Sequence, residues 1–391
     1  MPFSDLLNWA KKHRLHVWAA EGCRTLLAAT FLFSGLVKAN DPVGLSIKLN
    51  EYARVAGWNH MYGTVLMGAS MALALFEITL GVALAFGLNR RFTAVMTTVF
   101  MSVMTLLTVW LAVDDPIEDC GCFGDAVVLT NTQSLFKNVI LLAASVLLAR
   151  YSRWQHRLIP SDYSWLVSLP AVAGTLLFEV WNIKHLPLVD LRPYYVGADL
   201  RNERDAMTAR PQFEVKIVYR RSGETLELEA DDPDPDSSWH YVETRRIPQG
   251  TGTVAGLKTF LDHRADVADF SLTDCNGDEL TDEILQDTGY VFLLSAPDLA
   301  TADQGCVGNI NLLYEDALAG GASFYCVTAS GKQWQDYWTD HTGAEYPYLT
   351  ADRQMLETLV RANPGLVLLH DGKIVAKWSN WLIPAAWRPS H

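Results

Sequence analysis

Five apolar runs, at about residues 23–37, 62–88, 92–113, 135–149 and 165–181, constrain this chain more than any other feature. An α-helix rises about 1.5 Å per residue, so roughly 20 apolar residues cross the hydrocarbon core of a bilayer. All five runs lie in the first 185 positions, and acidic residues crowd into the remainder. The 50% apolar content is therefore an average over two parts suited to different solvents. The first and fourth runs are short for a span and call for upright placement or locally thin lipid.

Charge orients the runs, because short cytoplasmic loops hold the excess of Lys and Arg. Lys11, Lys12, Arg14 and Arg24 precede the first run, Arg90 and Arg91 separate the second and third, and Arg150, Arg153 and Arg157 separate the fourth and fifth. The opposite loops, 40–60 and 114–134, hold only Lys48 and Arg54 as cations. This pattern predicts a multi-pass inner-membrane protein with a cytoplasmic N-terminus, five spans, and everything after about residue 182 in the periplasm. Residues 1–20 read as a cytoplasmic interfacial helix, with Leu6, Leu7, Trp9 and Ala10 opposed to Lys11, Lys12 and Arg14. Val37-Lys38-Ala39 loosely matches a cleavage site, but the stretch before it is too long for a signal peptide, so no cleavage is expected. Trp110, Trp154, Trp165 and Trp181 fall near span ends, where an aromatic belt places them.

Leu186-Pro187 and Arg192-Pro193 then break the helical pattern. Residues 212–219 and 224–229 alternate apolar with polar around Arg220-Arg221-Ser222-Gly223, which predicts a β-hairpin, and 231–236 reads as an acidic turn. Beyond residue 268 the sequence predicts strands at 270–272, 290–294, 323–328, 366–369 and 374–378, with helices at 308–318 and 352–361. Strands alternating with helices and closing in a hairpin at Asp371-Gly372 predict a soluble α/β domain on a small mixed sheet. The net charge of −13 belongs mainly to this half and argues against a nucleic-acid partner.

Cysteines focus the functional reading. Cys23 sits at the inner end of the first span, while Cys120, Cys122, Cys275, Cys306 and Cys326 all fall on the outer side, where disulfides persist. Cys120 and Cys122 flank one glycine and can close only a small, strained, easily reduced ring. One reading makes them a redox pair exchanging electrons with a partner dithiol or a lipid-phase quinone. The other makes them a structural disulfide that pins the loop. Zinc fits less well, since two thiols without a nearby histidine fall short of four ligands. Among residues 266–391, Cys275–Cys326 and Cys306–Cys326 bridges stand beside the plainer reading of single buried thiols.

Charges within spans also need a reason, because each costs roughly 2.5–3.5 kcal/mol to insert. Glu77 lies mid-span, and Lys38 and Lys137 lie at outer span ends. Mutual neutralisation, with Lys38 snorkelling to the interface, is preferred over a quinone or proton site, because outer-end lysines reach water.

Three stretches resemble the DoxX-like superfamily, and within it the MauE family of methylamine-utilisation membrane proteins. They are Arg24-Thr25-Leu26 through Phe33-Ser34-Gly35-Leu36-Val37-Lys38; Glu77 with Gly81, Gly87 and Arg91; and Cys120-Gly121-Cys122-Phe123-Gly124 followed by Lys137-Asn138. The resemblance implies a four-helix membrane bundle over 21–152, joined by a fifth transmembrane helix at 160–184, and a role beside a thioredoxin-like partner in forming or shuffling disulfides in a client protein. The C-terminal part, 266–391, resembles a thioredoxin fold, reached through a β-rich periplasmic connector over 185–265. Asn363-Pro364-Gly365-Leu366-Val367 resembles the cis-proline strand, which makes Pro364 the cis-proline candidate. Where that fold carries Cys-x-x-Cys this chain has Ser295-Ala296-Pro297-Asp298-Leu299, so the ordinary chemistry is missing. The whole arrangement resembles DoxX-type proteins of Bacteroidota. Two functions follow: thiol–disulfide exchange through Cys120 and Cys122, or a non-catalytic scaffold whose thioredoxin-like domain binds an envelope partner.

Overall fold

The computed structural model describes residues 3–58, 63–117, 119–152, 158–202, 204, 213–221, 224–229, 240–248 and 270–388. Six α-helices come first: α1 (Phe3–Asn40), α2 (Pro42–Val55), α3 (Gly63–Phe86), α4 (Arg90–Asp114), α5 (Asn131–Arg150) and α6 (Trp165–His185). Among the described residues, five stretches are long and apolar enough to cross a membrane: Val17–Asn40 of α1 and the whole of α3, α4, α5 and α6. The first and fourth are 24 and 20 residues long, so the shortness read from the apolar runs is removed by polar residues that continue each helix. No break separates an interfacial helix over 1–20 from the first span; α1 is continuous. The run Ala19-Ala20-Glu21 favours helix and offers nothing to end it. Arg153 and Arg157 of the third basic cluster lie outside the described residues.

α4 shows what solvent these helices suit. Val95, Val99, Val103, Leu106 and Val113 are exposed along one side, whereas Thr93, Thr97, Thr105 and Thr108 are buried on the other. Apolar side chains outward and hydroxyls inward is the reverse of a water-soluble helix and suits a hydrocarbon solvent. The hydroxyls are satisfied locally, as Thr97 and Thr105 donate to the carbonyls of Thr93 and Met101. α1 and α3 approach closely through glycine: a Cβ on Gly35 would stand 2.9 Å from Ile78 N, and one on Gly81 2.9 Å from Leu32 N. Thr130 opens α5 with a capping box, its side chain accepting from Gln133 N while the Gln133 side chain accepts from Thr130 N.

An antiparallel sheet in the order β2-β1-β3 follows, from β1 (Phe213–Arg221), β2 (Glu224–Glu229) and β3 (His240–Pro248). The first two strands form the expected hairpin, and the third was not foreseen. Ser222, Gly223 and the acidic turn at 231–236 lie outside the described residues.

The last part contains α7 (Thr281–Gln286), β4 (Tyr290–Ala296), α8 (Val307–Ala319), β5 (Ser323–Thr328), α9 (Lys332–Thr342), β6 (Tyr348–Thr350), α10 (Arg353–Leu359), β7 (Gly365–His370) and β8 (Lys373–Ser379). Its sheet runs β6-β5-β4-β7-β8, with β4, β5 and β6 parallel and β7 and β8 antiparallel additions. Alternate residues feed two cores. Val291, Leu293, Val367 and Leu369 pack with α7 and α10, and Phe292, Leu294, Leu366 and Leu368 pack with α8 and Trp338 of α9. This is the order of a thioredoxin-like sandwich. Phe270-Ser271-Leu272 is not a strand; only Thr273 bridges to Thr350, at the β6 edge. α9 escaped the sequence reading because a polar surface hides its period, with only Gln335 and Trp338 buried.

The segment expected to begin the connector instead belongs to this sandwich: Tyr194, Ala198 and Leu200 are buried in the core shared by α7 and α10. Asn40 holds the same segment to the bundle, since its Nδ2 donates to Val189 O at 2.8 Å and its Oδ1 accepts from Val189 N at 3.1 Å. Ser379 of β8 donates to the Lys184 carbonyl at the end of α6.

Candidate functional site: a cysteine loop over an intramembrane ion pair

Helix packing brings three of the sequence candidates to one point. The glycine contacts between α1 and α3 set Lys38 against Glu77, with Nζ 2.9 and 2.8 Å from the two carboxylate oxygens. Both side chains are 4% exposed. The same ammonium donates to Ser34 Oγ at 2.6 Å and to the Cys122 carbonyl at 2.7 Å. Its three protons are thus accounted for by the carboxylate fork, a hydroxyl and a loop carbonyl. Lys38 therefore does not snorkel. An ion pair removed from water needs its remaining hydrogen bonds met internally, and here they are met by Ser34 and the Cys122 carbonyl.

The cysteine loop is held from both sides. Ser34 Oγ also donates to Cys122 O, at 2.7 Å, and the Tyr52 hydroxyl of α2 donates to Cys120 O at 2.9 Å. Asp119 accepts from Gly121 N at 2.8 Å and pairs with Lys48 at 2.7 Å. Gly121 has φ +64°, and a Cβ there would also press the Lys48 stem at 3.0 Å, so this turn requires glycine. Lys137 of α5 stands with its ammonium 4.1 Å from the Phe123 ring centroid.

Cys120 and Cys122 are both buried and free. The neighbouring Cys120 thiol pushes the Cys122 thiol down to about 6 despite burial, and the charges of Lys137 and Lys38 act in the same direction. The neighbouring Cys122 sulfur and burial push Cys120 up. Burial and the same sulfurs raise the Tyr52 phenol, keeping it a donor.

The other candidates lie elsewhere. Cys275 is exposed on a turn, whereas Cys306 and Cys326 are buried in the core on the α8 face of the sheet. All three are free thiols, so the structure contains neither bridge considered from the sequence. Burial pushes Cys306 up to about 11 and raises Cys326 as well, the reverse of a reactive thiol. The Asn363–Pro364 peptide is cis. Just before it, Arg361 reaches the bundle: its Nε is 2.9 Å from Asp41 Oδ2 and its Nη2 is 3.2 Å from Asp125 Oδ2. Burial works against the Asp41 charge, but Arg361 and Arg192 hold its carboxyl below the usual range. Burial raises Asp125.

Sequence reading missed Tyr52, Lys48, Asp41, Asp125 and Arg361, whose partners are distant in the chain. Ser34 carried a usable signal, since it stands four residues before Lys38 on one helix face. Glu179 of α6 is fully buried with both carboxylate oxygens unpartnered among the described residues, and the site does not explain it.

Residues 16–151 match the family model described as methylamine utilisation protein MauE. No curated protein matches the chain. Among solved structures, a candidate protein disulfide isomerase from Bacteroides thetaiotaomicron is similar at 20% identity, over 29% of this chain and 76% of that one, with a TM-score of 0.25. The bacterioferritin comigratory protein of Xanthomonas campestris is similar at 15% identity, over 29% and 83%, with a TM-score of 0.23. Peroxiredoxin Q of the same organism is similar at 16% identity, over 29% and 82%, also with a TM-score of 0.23. Over residues 16–151 the chain is similar to the MauE family, and its five helices long and apolar enough to cross a membrane are joined to a domain of thioredoxin-like topology.

Proposed function

We propose that this is an inner-membrane protein whose cysteine loop and soluble domain face the periplasm, and that Cys120 and Cys122 perform thiol–disulfide exchange with a client or redox partner. The observation that carries this reading is the pair of free, buried thiols on a loop whose carbonyls are fixed by Tyr52, Ser34 and Lys38. In the oxidised form a client thiolate attacks Cys120 Sγ. A Cys120–client S–S bond forms as the Cys120–Cys122 bond breaks, and the electron pair leaves on Cys122, the sulfur that holds negative charge more easily. The client's second thiolate then attacks its own sulfur in the mixed disulfide, and Cys120 departs and takes up a proton. The client has lost two electrons, and this protein holds a dithiol.

The soluble domain passes no electrons in this scheme, having Ser295 to Leu299 where a dithiol belongs. Its place is to dock the client beside the loop to which Arg361 ties it. The test is differential thiol labelling in native membranes together with a Cys122→Ser variant. Cys120 and Cys122 should be labelled only after mild reduction, and the variant should accumulate a mixed disulfide through Cys120. Unchanged client oxidation in a Cys120→Ser/Cys122→Ser double variant would leave the scaffold as the better reading; the missing thiol pair of the soluble domain already favours that alternative.

A further inference from the structure

We infer that the turn after β8 enters the lipid interface, with Trp381 and Leu382 seated among the lipids at the end of α6, so that the thioredoxin-like domain rests on the bilayer as well as on the helices. At about 1.5 Å per residue the 21 residues of α6 match the roughly 30 Å hydrocarbon core, which puts Lys184 and His185 at its edge. The end of the first span stands beside them, because Asn182 Nδ2 donates to Ala39 O at 3.1 Å. β8 closes on this level. Ser379 donates to the Lys184 carbonyl, and the Lys184 ammonium lies 5.1 Å from the Trp381 ring centroid. Trp381 is therefore held within one lysine side chain of the last turn of a span.

The turn is pinned on its inner side and carries apolar side chains on its outer one. Leu382 N donates to Ser379 O at 2.9 Å, and Ile383 is buried in the core on the α8 face of the sheet. That leaves Trp381 61% and Leu382 45% exposed, adjacent in the chain. The segment leaving α6 adds to the same level. Asn182 Oδ1 holds Leu188 N and Asn40 holds both backbone groups of Val189, while the Leu188 and Val189 side chains are exposed. Trp181, one turn before His185, is exposed as well. A single exposed apolar residue is ordinary; tryptophans and leucines gathered at the end of a span mark a contact surface.

Chemistry selects the occupant. An indole is an apolar body with one N–H donor, the combination that settles at headgroup level. The Leu382 side chain has no polar atom and gains by reaching the acyl chains. Lys184 lays its stem toward Trp381 and keeps its ammonium for water and phosphate. The net charge of −13 opposes attraction to an anionic surface, so apolar contact holds the turn and charge does not. The occupant is the boundary between headgroups and acyl chains, with no requirement for anionic lipid. This contact is independent of whether the cysteine pair exchanges thiols.

The experiment uses the full chain, labelled throughout with fluorotryptophan, in nanodiscs of phosphatidylcholine. Fluorine NMR follows the Trp381 resonance, assigned by its loss in Trp381→Phe. Lipid carrying a nitroxide near the top of the acyl chain should broaden Trp381 to within about twofold of Trp181, while a gadolinium chelate in the water leaves it sharp. Leu382→Asp, a change at an exposed position, should reverse both effects at Trp381 and leave Trp181 as it was. Replacing half of the phosphatidylcholine by phosphatidylglycerol should alter neither. If Trp381 responds to gadolinium and not to the nitroxide lipid, the turn stands in water and the inference is wrong. If it is shielded from both, another protein or a second copy covers it, and the inference is equally wrong. A contact that forms only with phosphatidylglycerol would make headgroup charge the cause and overturn it too.

Discussion

The Arg361 guanidinium meets the Asp125 carboxylate at 3.2 Å, tying the approach to the cis-proline strand to a loop position three residues past Cys122. The same guanidinium holds Asp41, the residue that follows the first span. One side chain therefore connects the soluble sheet, the membrane bundle and the cysteine loop.

Replacing it should undock the two parts. Arg361 is 8% exposed and Asp41 17%, so Arg361→Ala strands a largely buried carboxylate and should cost about 3 kcal/mol of docking free energy. Arg361→Lys should recover only part, because an ammonium cannot span both carboxylates as the fork does. Hydrogen exchange at residues 186–202 reads the effect, and unchanged protection in Arg361→Ala would refute it.

Docking should also depend on acid. The Asp41 carboxyl is held below its ordinary value of 3.8, so its folded form binds a proton less readily than the unfolded chain. Its contribution is complete above that ordinary value and disappears as pH falls through the lower folded one. Protease sensitivity of the 186–202 segment between pH 5 and pH 3, compared with Asp41→Asn, checks the sign; the variant should be insensitive to this component.

Within the membrane, Lys38→Met should destabilise the bundle by roughly 3–5 kcal/mol, because Glu77 is left buried and unpaired. Lys38→Met with Glu77→Leu should be milder than Lys38→Met alone, since no charge remains to be solvated. Thermal unfolding in detergent ranks the two, and equal losses would mean that the ion pair is not the coupled unit described here.

Glycine positions in one helix should separate by contact. Gly81→Ala forces a methyl to 2.9 Å from the Leu32 backbone and should cost about 1–3 kcal/mol. Gly68→Ala meets nothing within 4 Å and should gain about 0.5–1 kcal/mol from the reduced backbone entropy of the unfolded chain. Similar unfolding temperatures for the two variants would contradict the close α1–α3 crossing.

Cys122 should titrate far below an ordinary thiol. Its alkylation by a small reagent, followed on the reduced protein by mass spectrometry, should be half-maximal near pH 6, against the usual 9.0. Cys120→Ala removes the neighbouring thiol that contributes most to the lowering and should move the midpoint upward. The depression also stabilises the reduced fold, fully above the ordinary thiol value, and this is lost as pH falls through about 6. A midpoint that stays near 9 would remove the thiolate from the scheme.

By itself the amino-acid sequence determined the five apolar spans, the strand–helix alternation of the last third and the Cys120-Gly121-Cys122 motif. Those features are written in local periodicity and composition, which depend on the solvent each segment meets. It also marked Lys38, Glu77 and Lys137 as charges needing a partner, without showing which partner each would find. Only the tertiary structure decided that Lys38 closes on Glu77 and the Cys122 carbonyl, that Lys137 stands over Phe123, and that Arg361 reaches back to Asp41 and Asp125. Separations of 39 residues from Lys38 to Glu77 and of 320 from Asp41 to Arg361 carry no periodic signal. Such pairs are selected by which helix faces can approach closely and by the cost of leaving a buried charge unmet, and both are properties of the packed molecule.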